Sequence, residues 1–348
     1  MTAVTGPVRP AKDPGLRPLP WRRMAWVSWR HHRVALGGVA VFLGALAVWL
    51  WTAGLQLHHA YAAAAACHPS SSAACQNLIN AFQSTNVILK GGFVLQPVPG
   101  LIGAFVGAPM LARELETGTF RYAWTQGFGR WRWTVAKLVL VGVAVAAIAG
   151  AFSVLVSWYY QPYLASGNGA VFSSPSPLSP GLFDLRGVAF AAWTLAAFAI
   201  GALAGILIRR IVPAMAVTLG VYTGLALATW LFLREQYPLS LVGKPNLSLA
   251  PPSVNDPWIL STFYTGPGGK PASKSVVNQI IALFPTDGPP RVKETLAQEF
   301  AQHDITVWQR YIPVSRFWPM QFVEAGWLLA LSVLLIAATV WLVRRRAA

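Results

Sequence analysis

The residues best able to do chemistry lie in loops between long apolar runs, and one such loop contains both cysteines of the chain. Cys67 and Cys75 are separated by seven residues. If this loop faces the oxidising side of a bacterial membrane, a local disulfide is the expected state, with two free thiols as the alternative. His58, His59 and His68 lie nearby, but their spacing is not diagnostic of a metal site. The sequence therefore predicts a structural disulfide and no metal centre.

The motifs of common catalytic and nucleotide-binding sites do not occur in the sequence. The pairs Gly243-Lys244 and Gly269-Lys270 are both followed by proline rather than by the Ser or Thr of a phosphate-binding loop. HExxH, GxSxG, CxxC and the dinucleotide-binding glycine pattern are also missing. We therefore expect that this chain is not an enzyme and binds no cofactor.

Six apolar runs of about 21 to 24 residues dominate the rest of the sequence. At about 1.5 Å per residue, each run is long enough as a helix to cross a hydrocarbon core of roughly 30 Å. This pattern predicts an all-α integral membrane protein with six transmembrane helices. The runs are Val34–Leu57, Gly92–Ala112, Val135–Trp158, Val188–Ile208, Ile211–Leu233 and Phe322–Val343.

Basic residues alternate between the loops and so predict which loops face the cytoplasm. Of the 27 basic residues, 17 lie in the N-terminal tail, the loop 113–137, the turn at Arg209 and Arg210, and the tail 344–348. The net charge of +16 then orients the protein and meets anionic lipid, so we expect no nucleic-acid partner. Both termini are predicted to be cytoplasmic, in a multi-pass protein of the bacterial plasma membrane. The extracytoplasmic loops are 58–90, 159–187 and 234–321.

The region before the first run divides into two parts. Residues 1–20 contain five prolines and no apolar period, which predicts a disordered cytoplasmic tail. Residues 21–33 (WRRMAWVSWRHHR) combine Trp and Arg in a pattern typical of a helix at the membrane interface. An extension of the first span is the alternative. A cleaved signal peptide is disfavoured, because the first apolar run is about twice as long as a signal core.

The outer segment 234–321 is rich in Pro and Gly up to Pro290. Val292, Leu296 and Phe300 recur every four residues, which predicts a short amphipathic helix. Aromatic residues then lead into the sixth run and are expected to form an interfacial belt. They are Trp308, Tyr311, Phe317 and Trp318.

Ionisable residues are missing from the interior of the six runs, with Lys137 and Glu324 at run ends. Carriers driven by an ion gradient usually have such groups near the membrane midplane. Active transport by this chain would therefore need energy from a separate cytoplasmic motor.

The second run contains Gln96 and three prolines, which predict a broken helix. Breaks at membrane depth are tolerated where a polar cavity or a neighbouring helix satisfies the freed backbone groups. This run is thus expected either to line a cavity or to pack against a neighbour at a kink.

One cytoplasmic loop is long enough to bind a motor, and it covers residues 113–137 (RELETGTFRYAWTQGFGRWRWTVAK). Gly118 is expected to end the second helix, and Thr119 to cap a short helix at Phe120–Gln126. Exposed aromatic residues on that helix suit docking into a cleft of a partner, or lying flat on lipid. They are Phe120, Tyr122 and Trp124.

This loop resembles the segment between spans two and three of ATP-binding-cassette type-2 permeases. RELETGT, then WTQ, a basic pair and Lys137 follow one another in the order typical of that family. The helix at 21–33 is similar to the family's interfacial elbow helix, and Arg209-Arg210 before PAM looks like its turn into span five. SRFW at 315–318, with Gln and Glu shortly after, looks like the lead into span six of many actinobacterial members. The long outer loop before span six departs from the pattern.

The resemblance implies a permease domain over residues 34–343, paired with a second permease subunit and two ATPase subunits, in an exporter. It implies that Glu114, Glu116, Gly118 and Thr119 form a hinge facing the motor, next to a coupling helix at Phe120–Gln126. The expected motor-coupling residues are Glu114, Glu116, Gly118, Thr119, Phe120, Tyr122, Trp124, Thr125 and Gln126.

The resemblance also implies a substrate path between the two permeases, lined by spans two and five. An apolar lining favours an amphipathic or hydrophobic cargo, such as a lipid or a small natural product. The candidate lining residues are Gln96, Thr218, Tyr222 and Thr223.

Two other classes of function are compatible with parts of the sequence. A membrane-anchored receptor or assembly factor could be built around the outer segment 234–321. An integral-membrane enzyme is disfavoured, because the sequence lacks a catalytic cluster at membrane depth.

Overall fold

The structure of the protein is a computed structural model in which six helices are long and apolar enough to cross a membrane. It describes residues 21–68, 72–85, 92–116, 130–165, 177–237, 239–244, 257–283 and 298–346. The prediction of a helical protein with six membrane helices is confirmed, and the chain is a multi-pass membrane protein. The side on which the termini lie stays a prediction. The six helices cover Ala40–Ala66, Phe93–Glu116, Arg132–Ala165, Gly187–Ile208, Ile211–Gln236 and Val314–Arg345.

The described elements are named here in chain order. The helices are α1 (Trp21–Ala66), α2 (Ala73–Ser84), α3 (Phe93–Glu116), α4 (Arg130–Ala165), α5 (Pro180–Phe183), α6 (Gly187–Ile208), α7 (Ile211–Gln236), α8 (Lys274–Leu283) and α9 (Phe317–Arg346). The strands are β1 (Leu241–Gly243), β2 (Trp258–Thr265) and β3 (Thr306–Ile312).

Helices α3 and α7 both contain segments that depart from regular α-helix. Helix α3 begins with a 3-10 turn at Phe93–Leu95 and contains a π-helical segment at Gly103–Gly107. Helix α7 ends with a π-helical segment at Thr229–Leu233 and a 3-10 turn at Arg234–Gln236. Such π segments are rare in proteins, and those that do occur often lie at functional sites.

Helix α1 is longer than the first apolar run. Residues 21–33 are helical, but no break separates them from the first span, and α1 continues to Ala66 rather than ending at Leu57. The alanines that end α1 are strong helix formers, which explains the extension. The position of residues 21–33 at the membrane interface stays a prediction, and the tail 1–20 lies outside the described residues.

The C-terminal end of α1 is covered by α2, which lies within the loop predicted at 58–90. A disulfide joins Cys67, just after α1, to Cys75 in α2, with a Cα–Cα distance of 5.6 Å. The Ser72 hydroxyl accepts a hydrogen bond from the Cys75 backbone N–H at 3.3 Å and so caps α2. Nearby, His58 stacks on the indole of Trp158 with the ring centroids 4.7 Å apart.

Helix α6 is the centre of the bundle, since α3, α4, α7 and α9 all pack against it. Small residues make this packing close, because they let two backbones approach without side chains between them. A Cβ atom on Gly205 would lie 2.5 Å from the carbonyl oxygen of Ala108, and one on Gly103 would lie 2.5 Å from that of Ala197. A Cβ atom on Gly201 would clash with the carbonyl oxygen of Gly103.

Substitution of Gly201 by alanine is therefore expected to lower the free energy of unfolding by about 1–3 kcal/mol, because α3 and α6 must move apart. Gly220→Ala in α7 is the matched control, since a Cβ atom there meets no atom within 4 Å. That control should be neutral or slightly stabilising. Denaturation of the two variants in the same detergent measures the difference, and equal stabilities would refute the proposed close contact.

The outer segment 234–321 contains an antiparallel sheet that the sequence analysis did not predict. The strand order is β1-β3-β2, and β2 is separated from β3 by 40 residues of chain. Trp308 and Tyr311 lie on β3, and their expected position in an interfacial belt stays a prediction. Residues 298–302 are helical, which agrees with part of the predicted amphipathic helix. A small core links this helix, α8 and the sheet. It consists of Val277, Ile280, Phe300 and Ile305, with Tyr264 packed against it.

Candidate functional site

A cavity of about 250 Å³ lies between α3, α7 and the segment that connects α5 to α6. Three predicted path residues, Gln96, Tyr222 and Thr223, contribute to its wall. The fourth, Thr218, does not: its buried hydroxyl donates a hydrogen bond to the Ala214 carbonyl of its own helix at 2.7 Å. The lining residues are Phe93, Gln96, Pro97, Asp184, Leu219, Tyr222, Thr223, Ala226, Leu227 and Trp230.

The break in α3 shapes one wall of the cavity. Proline at positions 97 and 99 removes two backbone donors, and within this break the Tyr222 hydroxyl of α7 donates to the Gln96 carbonyl at 3.0 Å. The Gln96 side-chain amide donates to the Gly181 carbonyl at 3.2 Å. Gly100 lies opposite the Tyr222 ring, and a Cβ atom added at this glycine would come within 2.5 Å of the ring. The irregular backbone is therefore held by α5 and α7.

A buried ionic network lies beside this cavity and was missed by the sequence analysis. The Arg234 guanidinium is 1% exposed and the Glu324 carboxylate is fully buried. Arg234 donates two hydrogen bonds to Glu324, from Nε to Oε2 at 3.0 Å and from Nη2 to Oε1 at 2.8 Å. Arg234 Nη2 also forms an ion pair with Asp184 in the cavity wall. This network joins the ends of α7 and α9 to the segment before α6.

Neutral groups complete the hydrogen bonds of the Glu324 carboxylate. Trp193 Nε1 of α6 donates to Oε1 at 2.8 Å, and the Tyr237 hydroxyl donates to Oε2 at 3.3 Å. Trp327 Nε1 in turn donates to the Tyr237 oxygen at 2.9 Å. Burial, and secondarily the Glu324 charge, raise the pKa of Tyr237. The tyrosine therefore stays a neutral donor at physiological pH.

Gln321 fastens α9 to the same region through two further hydrogen bonds. Its amide nitrogen donates to the Phe183 carbonyl at 2.8 Å, and its amide oxygen accepts from the Ala189 N–H at 2.8 Å. From the sequence, Gln321 and Glu324 are recognised only as part of the lead into span six. The signal for their role is that they are polar side chains at the start of an otherwise apolar helix, since such residues in membrane helices usually face protein.

The opposite end of α3 carries a second group of polar contacts. Lys137 of α4 is 2% exposed, forms an ion pair with Glu114, and donates to the Met110 carbonyl at 3.1 Å. Glu116 accepts a hydrogen bond from the Ile211 N–H, the first residue of α7, at 3.1 Å. A carboxylate at that position also interacts favourably with the positive end of the helix dipole. Helix α3 is thus joined to α4 and to α7 within one helical turn of its end.

The turn that precedes α7 is unusually tight. Arg209 ends α6 in a left-handed conformation, with φ of 60°, and its N–H donates to the Gly205 carbonyl. Arg210 is extended, and α7 starts at the next residue. Because the turn is so short, a movement of Glu116 against Ile211 would act on both α6 and α7.

The other predicted motor-coupling residues lie outside the described part of the chain. They are Gly118, Thr119, Phe120, Tyr122, Trp124, Thr125 and Gln126. The hinge and the coupling helix therefore remain predictions, and the described contacts concern only Glu114 and Glu116.

A family model described as "ABC-2 membrane transporter related" matches residues 40–234. This match covers more than half of the chain and includes the first span, the loop 113–137, the cavity lining and Arg234. It ends where the outer segment with its sheet begins. No curated protein and no solved structure shows significant similarity to the chain.

Proposed function

This chain belongs to the ABC-2 membrane transporter related family, and from that membership we propose that it is the membrane subunit of an ATP-driven exporter. Permeases of this family generally work with an ATPase subunit, and the family is one of transporters rather than of enzymes. The cargo is an amphipathic or hydrophobic molecule, and the energy comes from a separate ATPase subunit. The sequence of this chain contains no phosphate-binding loop, which agrees with a motor on another chain.

The observation that carries the proposal is the set of contacts at the end of α3. The loop after Glu116 is the one expected to bind the motor, and Glu116 itself accepts a hydrogen bond from the first residue of α7. Helix α7 in turn provides six of the ten residues that line the cavity. A push on the loop would therefore reach the cavity wall through α7, over roughly 30 Å of helix.

The cavity fits an amphipathic cargo. Most of its lining is aliphatic or aromatic, and its polar side chains are few, namely those of Gln96, Asp184, Tyr222 and Thr223. Such a composition is typical of sites for molecules with a large apolar part and one polar group. Helix α7 is also the least covered of the six membrane helices, which agrees with a second permease subunit packing along it to close the path.

Affinity purification of the tagged chain from its native membranes tests the proposal. We expect one ATPase subunit with a phosphate-binding loop to copurify in a stable stoichiometry, and its ATPase activity to depend on the permease. A membrane protein of similar size and charge, purified in parallel, controls for nonspecific capture. Recovery of the chain without any ATPase would contradict the proposed function.

One observation favours a second candidate, a membrane-anchored receptor or assembly factor. The outer segment contains a folded sheet whose side chains Val242, Ile259 and Phe263 are exposed, and this segment lies outside the family match. Under this alternative, the purification would recover an extracytoplasmic protein instead of an ATPase. Deletion of residues 241–312 would abolish that association under this alternative, whereas it would leave the ATPase association intact if the chain is an exporter subunit.

A further inference from the structure

The charge in the described wall of the cavity is negative. Among the ten described residues that line it, Asp184 is the only charged one. Its side chain is 18% exposed, so the carboxylate is largely withdrawn from solvent but still reaches the cavity. A carboxylate in an apolar wall attracts a positive group strongly, because little water screens the interaction.

The neighbouring guanidinium does not neutralise this carboxylate fully. Arg234 makes two hydrogen bonds to the fully buried Glu324 and a single contact, through Nη2, to Asp184. The three groups together carry two negative charges and one positive charge, so the network has a net charge of −1. Arg186, two residues after Asp184, lies over the Phe317 ring at 5.4 Å and forms no ion pair with Asp184 among the described residues.

Aromatic rings form the other part of the wall. Phe93, Tyr222 and Trp230 all line the cavity, and their faces are negative because of the ring quadrupole. A cation that sits against such faces gains further attraction, which is largest for tryptophan and for desolvated sites. Aromatic walls beside a carboxylate are the usual chemistry of sites that bind quaternary ammonium groups.

The size of the cavity restricts the ligand further. About 250 Å³ is slightly less than the roughly 300 Å³ at which sites for drug-sized molecules begin. The site therefore fits a cationic head with a short apolar arm, and the rest of a larger molecule would extend along α7 into lipid.

We propose that this cavity selects organic cations, and that the cargo of the exporter carries a substituted ammonium group placed against Asp184 and Trp230. The part of the inference that says the cation is transported rests on the proposed function. Binding of a cation to the cavity can be measured without any motor. The same chemistry is found in a free organic cation and in the choline head of a lipid.

Equilibrium binding of radiolabelled benzyltrimethylammonium to the full chain in phosphatidylglycerol nanodiscs tests the proposal, with empty nanodiscs subtracted. Two competitors of the same shape report on charge: neopentylbenzene is the neutral carbon isostere, and phenylmethanesulfonate is an anion. We expect saturable binding of the cation, weak competition by the neutral isostere and none by the anion. Addition of phosphatidylcholine distinguishes a lipid head from a free cation as the ligand. If phosphatidylcholine competes with the radiolabelled cation, the ligand is a lipid head; if it does not compete, the ligand is a free cation.

Matched variants separate a charge effect from misfolding. Asp184→Asn should weaken cation binding by about tenfold or more, whereas Asp184→Glu should largely retain it. Glu235→Gln removes a carboxylate from an exposed position next to Arg234 but outside the cavity, and it should bind the cation normally. Equal loss in Asp184→Asn and Glu235→Gln would overturn the proposal, since a long-range field would then explain the binding.

Other results also overturn the inference without affecting the proposed function. Equal competition by the cation and its neutral isostere would mean that the cavity recognises shape alone. Absence of any saturable binding would mean that the cavity is not a ligand site. In either case, an ATPase that copurifies with the same preparation would leave the exporter assignment standing.

Discussion

Arg234→Met should lower the free energy of unfolding by about 3–5 kcal/mol, the largest stability effect expected for a single substitution in this chain. The change leaves the fully buried Glu324 carboxylate without its positive partner, and a buried unpaired charge is far more costly than a lost surface ion pair. Thermal and denaturant unfolding in one detergent, followed by tryptophan fluorescence, provides the measurement.

A double variant distinguishes the loss of a charge pair from the loss of side-chain volume. Arg234→Met with Glu324→Gln removes both charges of the pair, while the glutamine can still accept the hydrogen bond from Trp193. This variant should recover part of the lost stability, because replacing a buried ion pair by neutral groups is often nearly neutral. Arg345→Met, at an exposed position near the end of α9, is the matched control and should change little. A double variant no more stable than Arg234→Met would refute the assignment of the loss to unpaired charge.

Glu116→Ala is expected to reduce ATPase activity that depends on the permease by about tenfold, with the complex still assembled. The substitution removes the charged acceptor for the Ile211 N–H, and a side-chain acceptor at a helix N-terminus contributes about 0.5–2 kcal/mol. Loss of that bond weakens the link between α7 and the loop that we propose binds the motor. The measurement compares the ATPase activity of purified complexes in nanodiscs at equal subunit ratios.

Two variants at the same end of α3 make this test specific. Glu116→Gln keeps an oxygen that can accept the Ile211 N–H and should retain more activity than Glu116→Ala. Glu114→Gln alters the contact to Lys137 in α4 and should lower stability more than coupling, because it leaves a buried lysine without its counter-charge. Normal coupling in Glu116→Ala would remove this residue from the transmission path.

Much of the membrane architecture could be predicted from the sequence because hydrophobicity is a local property. A run such as Val188–Ile208 is apolar over the length of a bilayer, and no tertiary contact is needed to make it span. The kink around Gln96 was similarly predictable, since proline removes a backbone donor wherever it occurs in a helix. The ends of the helices were predicted less accurately. The loop predicted from residue 58 is helical up to Ala66, because the alanine-rich sequence continues the helix beyond the apolar run.

The contacts that make the candidate site were not predictable in this way. Arg234 and Glu324 are 90 residues apart, Arg234 and Asp184 are 50 apart, and Glu116 and Ile211 are 95 apart. Each residue taken alone looks like an ordinary polar group at the end of an apolar run. The antiparallel pairing of β2 with β3 was unpredictable for the same reason, since a strand is recognised reliably only when its partner is known.

The sequence by itself determined the number of membrane helices, the loops with excess basic charge, the break in the second helix and the family resemblance. All of these depend on residue type and near neighbours. Only the tertiary structure decided that Asp184 and Arg234 lie beside the cavity, that Glu324 is fully buried, and that α6 is the centre of packing. The physical reason is that burial and ion pairing depend on which distant segments of the chain meet. Small residues such as Gly201 influence which segments meet, but this effect is visible only once the helices are packed.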